Sequence, residues 1–166
     1  MMRLLFPILA AGLLLLTGCM APDNGNRAER LRADILVFQS DPAIVDFLVE
    51  EALCAGVRSI RPMQPRGSYP DGRPRYGAYG RAFSDGRIEL HPTRPAGRSV
   101  VNITHEIAHV AAFGGRCNGH NGRWLNAYLS IAERFEARFP NARWSGTTPT
   151  NRVLRNRERY DIGGQC

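Results

Sequence analysis

Residues 105–124, HEIAHVAAFGGRCNGHNGRW, contain three of the four histidines of this 166-residue chain. His105 and His109 are four residues apart, and positions with this spacing differ by about 40° around an α-helix. Both imidazoles therefore project from one face and can reach one ion. The flanking pattern predicts such a helix, with an N-cap at Ser99 and an end near Phe113. Its buried face is expected to be apolar (Ile103, Ile107, Val110 and Ala111).

His120 is the predicted third ligand, because FGGRCNG (residues 113–119) supplies three glycines for the chain reversal that returns it to the helix. Three imidazoles and one water form a tetrahedral site typical of catalytic Zn²⁺. Glu106 lies about 100° round the helix from His105, so it borders the ion without binding it. We expect Glu106 to activate the zinc-bound water as general base and to pass the proton to the leaving amine.

Four alternatives remain open from the residues alone. The two helical histidines could be surface or packing residues, and Cys117 could replace His120 as a third ligand in a closed, structural site. His91, at the end of a predicted strand, either points into the cleft or lies in water. Trp124 and Tyr128 are expected in the core, with a role for Tyr128 as an oxyanion donor as the competing interpretation.

Upstream of the histidines, YGAYGRAFSDGRIELHP (residues 76–92) predicts a β-hairpin, because its side chains alternate on both sides of an Asp85-Gly86 turn. Residues 61–75 carry four prolines and four arginines without a helical or strand period. They predict a loop, either a flap beside a cleft or an ordinary surface connection.

Apolar periods predict three further helices. The first has a face of three apolar residues (Leu31, Ile35 and Phe38). The second lies within residues 40–56, with Asp41 as N-cap, Pro42 at the first helical position and Gly56 at the end. The third follows the last histidine, ends at Pro140 and carries one stripe (Trp124, Tyr128, Ile131 and Phe135).

Residues 1–18 are expected to be a cleaved signal peptide, because a basic residue precedes an apolar run too short to span a bilayer. A short uncleaved anchor is the alternative. LTGC (residues 16–19) resembles the bacterial lipobox, which implies cleavage before Cys19 and diacylation of that residue. Met20 resembles an outer-membrane sorting residue. The resemblance thus implies a lipid anchor in the outer membrane, with the chain facing the periplasm.

The chain carries 22 basic against 15 acidic residues, a net charge of +7, and every basic residue is Arg. Such an excess can indicate nucleic-acid binding, but export removes the chain from nucleic acid, so none is expected as a partner. Anionic lipid, cell-wall polymer or simple solvation are the alternatives. If Cys19 carries lipid, the remaining cysteines allow one disulfide in an oxidising compartment, joining Cys117 to Cys54 or Cys166.

The order of hairpin, HEIAH helix, Gly-rich turn and GHNGRW (residues 119–124) resembles the SprT-like zinc metallopeptidase domain, over roughly residues 76–139. In that family the zinc ligands come from an H-E-x-x-H helix and a following G-H-G-x-x-W/F segment. The matching residues are His105, Glu106 and His109 in the helix and Gly119, His120 and Trp124 in the segment. Asn121 stands where the family segment has its second glycine, and this departure affects the expected geometry of the turn. Gly122, the next residue, is the alternative source of that glycine.

The resemblance implies a zincin-like α+β fold, with a small antiparallel sheet beside the zinc helix, and peptidase chemistry. The family's action on DNA-attached proteins is not carried over, because the lipobox places this chain outside the cytoplasm. A Cys₄ zinc ribbon of the kind some members append is absent from the sequence.

The sequence thus predicts a signal peptide (1–18), a lipidated tether (19–26), a metallopeptidase domain (27–140) and an Arg-rich tail (141–166) in which residues 153–160 favour a short helix. The predicted function is that of a lipid-anchored, zinc-dependent metallopeptidase of the bacterial cell envelope, acting on an envelope protein or peptide. The alternative, from another class, is a non-catalytic zinc-binding envelope lipoprotein with a structural or partner-binding role.

Overall fold

Helices pack against a small sheet in the part of the chain that the computed structural model describes, which is residues 25–92, 96–113 and 119–159. Within these ranges five helices and three strands occur, numbered here in chain order. They are α1 (Asn26–Leu36), α2 (Pro42–Ala55), β1 (Ser59–Pro62), β2 (Gly80–Ala82), β3 (Arg87–Leu90), α3 (Ala96–Ala112), α4 (Gly122–Arg138) and α5 (Pro149–Arg159). The predicted α+β class is therefore confirmed.

α3 carries the HEIAH motif and is the central element of the fold. It packs against α2, α4, β2 and β3. Its apolar residues turn inward (Val100, Ile103, Ile107, Ala108 and Val110). Because these apolar residues face the core, the two histidines of the motif lie on another face of the helix, which is only half-buried.

The predicted start of α3 is wrong by four residues, because an N-cap at Ser99 would make Val100 the first helical residue. The helix begins at Ala96, so Ser99 lies inside its first turns and is 3% exposed instead of capping the end. One sequence feature favours the earlier start: Pro95 immediately precedes the helix, and proline is favoured at helix starts. A serine hydroxyl marks an N-cap only where the preceding residue leaves the helix.

The limits predicted for α2 are confirmed. Asp41 Oδ1 accepts hydrogen bonds from the backbone N–H groups of Ala43 and Ile44 at 2.9 and 3.3 Å, and Pro42 is the first helical residue. Gly56 ends the helix with φ of +83°, a left-handed conformation that glycine adopts without steric cost.

The sheet contains the predicted hairpin but is mixed, so the expectation of a purely antiparallel sheet is wrong. The strand order is β1-β3-β2, with β2 antiparallel and β1 parallel to β3. β1 gave no sequence signal because it has four residues, of which only Ile60 is buried. A residue distant in sequence helps to hold β1 in place: Asp34 on α1 accepts a hydrogen bond from the N–H of Ile60 at 2.8 Å.

Residues 66–75, within the predicted loop, form a short hairpin that we call the arm. Arg66 donates its backbone N–H to the carbonyl of Arg75, and Arg75 donates to Gly67, both at 2.8 Å. Tyr69 likewise donates to Arg73 at 2.8 Å. The predicted loop is therefore confirmed for residues 63–75, which contain one isolated bridge but no helix or strand, whereas residues 61–62 belong to β1.

The described part of the predicted tail belongs to the core. α5 packs along α4, and Trp144 and Val153 are 2% and 0% exposed. The Trp144 ring lies 6.2 Å from that of Tyr128 and 5.1 Å from that of Phe135. The short helix predicted from residue 153 falls within α5, and an Arg-rich composition concealed its buried face.

We expect Trp144→Ala to lower the free energy of unfolding by about 3–5 kcal/mol, because it deletes a fully buried aromatic side chain. Chemical denaturation of the full chain measures the change. Leu154→Ala is the matched control on the exposed side of α5, where Leu154 is 41% exposed, and should stay within about 0.5 kcal/mol. A Trp144 variant as stable as the control would show that residues 141–159 are dispensable for the fold.

Several predicted features lie outside the described residues. These are the signal peptide, Cys19, the third-ligand alternative Cys117, and Cys166. The proposed disulfide from Cys117 to Cys54 or Cys166 therefore stays a prediction. In the described ranges, no helix is both long and apolar enough to cross a membrane.

Candidate metal centre

The three predicted histidines come together in space. His105 and His109 project from α3, and His120 stands two residues before α4. Their ligand nitrogens all lie within 4.8 Å of one another, and the Nε2 atoms of His105 and His120 are 2.9 Å apart. The ring centroids form a nearly equilateral triangle with sides of 4.8–5.0 Å. This group could hold a metal ion.

Asn121, the departure from the family pattern, positions His120. Its side chain accepts a hydrogen bond from the N–H of Trp124 at 3.0 Å, so it is the N-cap of α4. Its φ of −106° and ψ of −176° are extended values that asparagine adopts freely. The helix therefore begins two residues after His120, and the capping Asn121 lies between the imidazole and the first helical residue.

Two buried aromatic residues of α4 support the imidazoles from behind. The Trp124 ring stacks on His109 at 5.4 Å and meets His105 and His120 edge-on at 4.9 and 4.4 Å. Its Nε1–H donates to the carbonyl of His105 at 3.3 Å. The expectation that Trp124 and Tyr128 are core residues is confirmed, since both are 0% exposed.

The interpretation of Tyr128 as an oxyanion donor gains no support. Its hydroxyl donates to the backbone carbonyl of Val101 at 3.1 Å, one turn before the first histidine on α3. The hydroxyl therefore ties α4 to the backbone of α3, and the ring packs on His105 at 5.5 Å.

The electrostatics keep the two helical imidazoles neutral. Burial, aided by the nearby charges of His109 and His120, lowers the pKa of His105 to about 2. Burial and His120 likewise lower the pKa of His109 to about 4. A neutral imidazole has the free lone pair that a metal requires. A tetrahedral Zn²⁺ with Zn–N bonds of 2.0–2.1 Å separates its ligand nitrogens by about 3.3 Å, so this donor set fits such an ion after small adjustments.

Glu106 lies on the side of α3 that faces the sheet, as its offset from the histidines requires. It is 7% exposed, and burial raises its pKa to about 8. The carboxyl group rests directly against β2: a Cβ atom at Gly80 would lie 2.8 Å from both Cγ and Cδ of Glu106. The Glu106 side chain is thus held between its own helix and the backbone of Gly80, a strand position that has no side chain of its own.

Gly80 is a site residue that the sequence pattern missed. The alternation of residues 76–92 marks it only as a small residue between larger ones. A glycine inside a strand can indicate a close approach by another group, but nothing in the sequence identifies Glu106 as that group. The contact arises from the packing of α3 on β2.

If Glu106 is the reacting group of a hydrolase, Gly80→Ala should reduce turnover by on the order of 100-fold, because the new methyl group displaces the carboxyl group and small misplacements of a reacting group have effects of this size. Zinc content should stay near wild type, and the unfolding midpoint should fall modestly, because the Cγ and Cδ atoms of a buried side chain must move. Gly122→Ala is the control, with nothing within 4 Å of its new Cβ. A Gly80 variant that turned over normally would remove the positioning role.

His91 lies outside the histidine cluster. It is half-buried, its ring centroid is 4.3 Å from that of Tyr76, and its N–H donates to the carbonyl of Tyr79 at 3.0 Å. The cluster found among the described residues holds the other three histidines. His91 therefore extends the pairing of β2 with β3, and its side chain packs on an aromatic ring.

Comparisons with protein-family models, curated proteins and solved structures find no match to this chain.

Proposed function

We propose that the chain is a zinc-dependent peptide hydrolase. The observation that carries this proposal is the position of Glu106: a buried carboxyl group, one residue from His105 and packed against the backbone of Gly80 in β2. A site that used its metal only to hold the fold would gain nothing from this carboxyl group, whose burial costs free energy. The resemblance of the HEIAH and GHNGRW motifs to SprT-like metallopeptidases supports the same chemistry.

Each residue of the site has its own role in the proposed reaction. His105, His109 and His120 would hold the zinc ion, which when bound supplies a Lewis acid that polarises a carbonyl group and acidifies a water molecule. Glu106 takes a proton from the attacking water and delivers it to the leaving amine. Contact with Gly80 and burial between α3 and β2 keep that carboxyl group oriented during both transfers.

The edge of β2 offers a place for an extended substrate. Tyr79 accepts a hydrogen bond from His91, and Phe83 donates one to Arg87, so these residues turn their backbone groups toward β3. Backbone groups alternate along a strand, so those of Gly80 and Ala82 point to the other edge, where the described residues place no strand. An extended peptide added there would run beside Glu106.

The cellular setting is part of the proposal. LTGC implies a lipid anchor at Cys19, which lies six residues before the start of the described fold. A tether of that length would hold the peptidase close to the outer membrane, with an envelope protein or peptide as substrate and no nucleic acid as partner.

The test is hydrolysis of an unfolded protein, reduced casein, by the full chain purified in detergent. We expect cleavage that a chelator abolishes and that added zinc restores, because the histidine cluster has no other means of activating water. New peptide termini identified by mass spectrometry measure the reaction. Bound zinc without any cleavage would favour the non-catalytic lipoprotein, and cleavage indifferent to chelation would exclude a metallopeptidase.

A further inference from the structure

Two arginine side chains converge beside the strand that flanks Glu106. Arg66, at the base of the arm, and Arg81, in β2, point toward Gly77. The Nη1 atom of Arg66 and the Nη2 atom of Arg81 lie 3.2 and 3.1 Å from the position of a Cβ at Gly77. Two cations are therefore held close to one point at the surface.

Neither guanidinium has an acidic partner within the described part of the chain. The ion pairs found there involve other arginines. Glu89 stands opposite Arg81 in the ladder and also opposite Arg61 of β1, yet it forms an ion pair with neither. Three arginines thus share this region with one glutamate, and the excess positive charge is available to an anion.

Side chains alternate between the two faces of the sheet along β2, and this alternation fixes where Arg81 lies relative to Glu106. Gly80 and Ala82 pair with Leu90 and Ile88, whose side chains are buried, so these positions face α3. Arg81 faces the opposite side, with Glu89. In an antiparallel pair, residues directly opposite each other project from the same face. A peptide residue opposite Gly80 therefore points toward Glu106, and its neighbour opposite Arg81 points toward the guanidinium groups.

We infer that the site selects peptides with an aspartate or glutamate one residue away from the residue that faces Glu106. The inference rests on the proposed function and adds a substrate class to it. The carboxylate would receive charge-assisted hydrogen bonds from Arg81 across the strand pair and from Arg66 at the base of the arm. Peptides with lysine at that position would bring a third cation against the pair and be disfavoured.

The experiment uses the zinc-loaded full chain and a peptide library made by tryptic digestion of a proteome. Mass spectrometry of the products gives the residue frequencies on both sides of each cut. We expect acidic residues to be enriched beside the cut. Synthetic peptides with Asp or Asn at the enriched position should then differ in kcat/KM by about threefold to tenfold, the effect of one cross-strand ion pair strengthened by a second guanidinium.

The variant Arg66→Gln/Arg81→Gln should bring this ratio close to one. Arg155→Gln/Arg157→Gln removes the same charge from exposed positions of α5 and should leave the ratio unchanged. Cleavage without acidic enrichment, or enrichment that survives loss of Arg66 and Arg81, would overturn the inference and leave the peptidase intact.

Direct binding keeps the inference testable if no peptide is cleaved, an outcome that would count against the proposed function. Fluorescence anisotropy with short Asp-containing and Lys-containing peptides should show tighter binding of the acidic peptide, and the double variant should lose that difference. Equal binding of both peptides would overturn the inference. So would a double variant that kept its peptide selectivity but lost binding to anionic phosphatidylglycerol vesicles, because the arginines would then serve a lipid surface.

Discussion

Glu106→Gln should lower kcat for peptide hydrolysis by on the order of 10²- to 10⁴-fold, the usual contribution of a positioned general base, while zinc content stays at the wild-type level. Glutamine keeps the size of the side chain and its contact with Gly80, but its amide cannot take a proton from water. The carboxyl group is 7% exposed, so bulk water reaches it poorly and solvent cannot easily replace it. The measurement is kcat on a cleaved peptide together with metal content by mass spectrometry.

The control for that substitution is Glu133→Gln, the same chemical change at an exposed position of α4. It should leave kcat within experimental error. If Glu106→Gln retained turnover, the general-base mechanism would be wrong even with zinc bound. If it lost zinc as well, Glu106 would be acting on the imidazoles or the fold, and the loss of activity would say nothing about proton transfer.

The parts of this fold that follow from local rules could be predicted from the sequence. His105 and His109 share a face because helical geometry fixes the angle between them. Asp41 and Gly56 delimit α2 because a carboxylate satisfies free N–H groups at one end and a left-handed residue ends the other. The hairpin is equally local, although its turn lies one residue earlier than predicted: Ser84 and Asp85 form it, with the N–H of Gly86 donating to the carbonyl of Phe83 at 3.0 Å. Gly86 then rejoins the strand with a φ of +84°.

The parts that depend on distant neighbours could not be predicted. β1 exists because β3 and the Asp34 carboxylate accept its backbone groups, and no pattern within four residues records those partners. Trp144 lies in a polar, Arg-rich stretch, and its burial requires α4 to be in place. The pairing of Gly80 with Glu106 joins two segments 26 residues apart, and only the packed structure shows why this strand position lacks a side chain.

His120→Ala should reduce zinc affinity by more than the ~10- to 100-fold that loss of a supporting outer residue costs, because it removes one of three ligands. His105 and His109 would remain, but two imidazoles on one helix leave half of a tetrahedral site to water. The fold should survive: His120 precedes α4, and the Asn121 cap that starts this helix is untouched. Metal content after dialysis against a weak chelator measures the loss, with unfolding midpoint as the check on folding.

His91→Ala provides the matched control, since it removes the one histidine that lies outside the cluster and should leave about one zinc per chain. The comparison separates a three-histidine site from a pair of helical histidines assisted by other groups. Zinc retained in the His120 variant would place the third ligand elsewhere, and Cys117 would be the first residue to change. Zinc lost only in the His120 variant would mean that His120, next to the Asn121 cap of α4, completes the metal centre begun by the two histidines of α3.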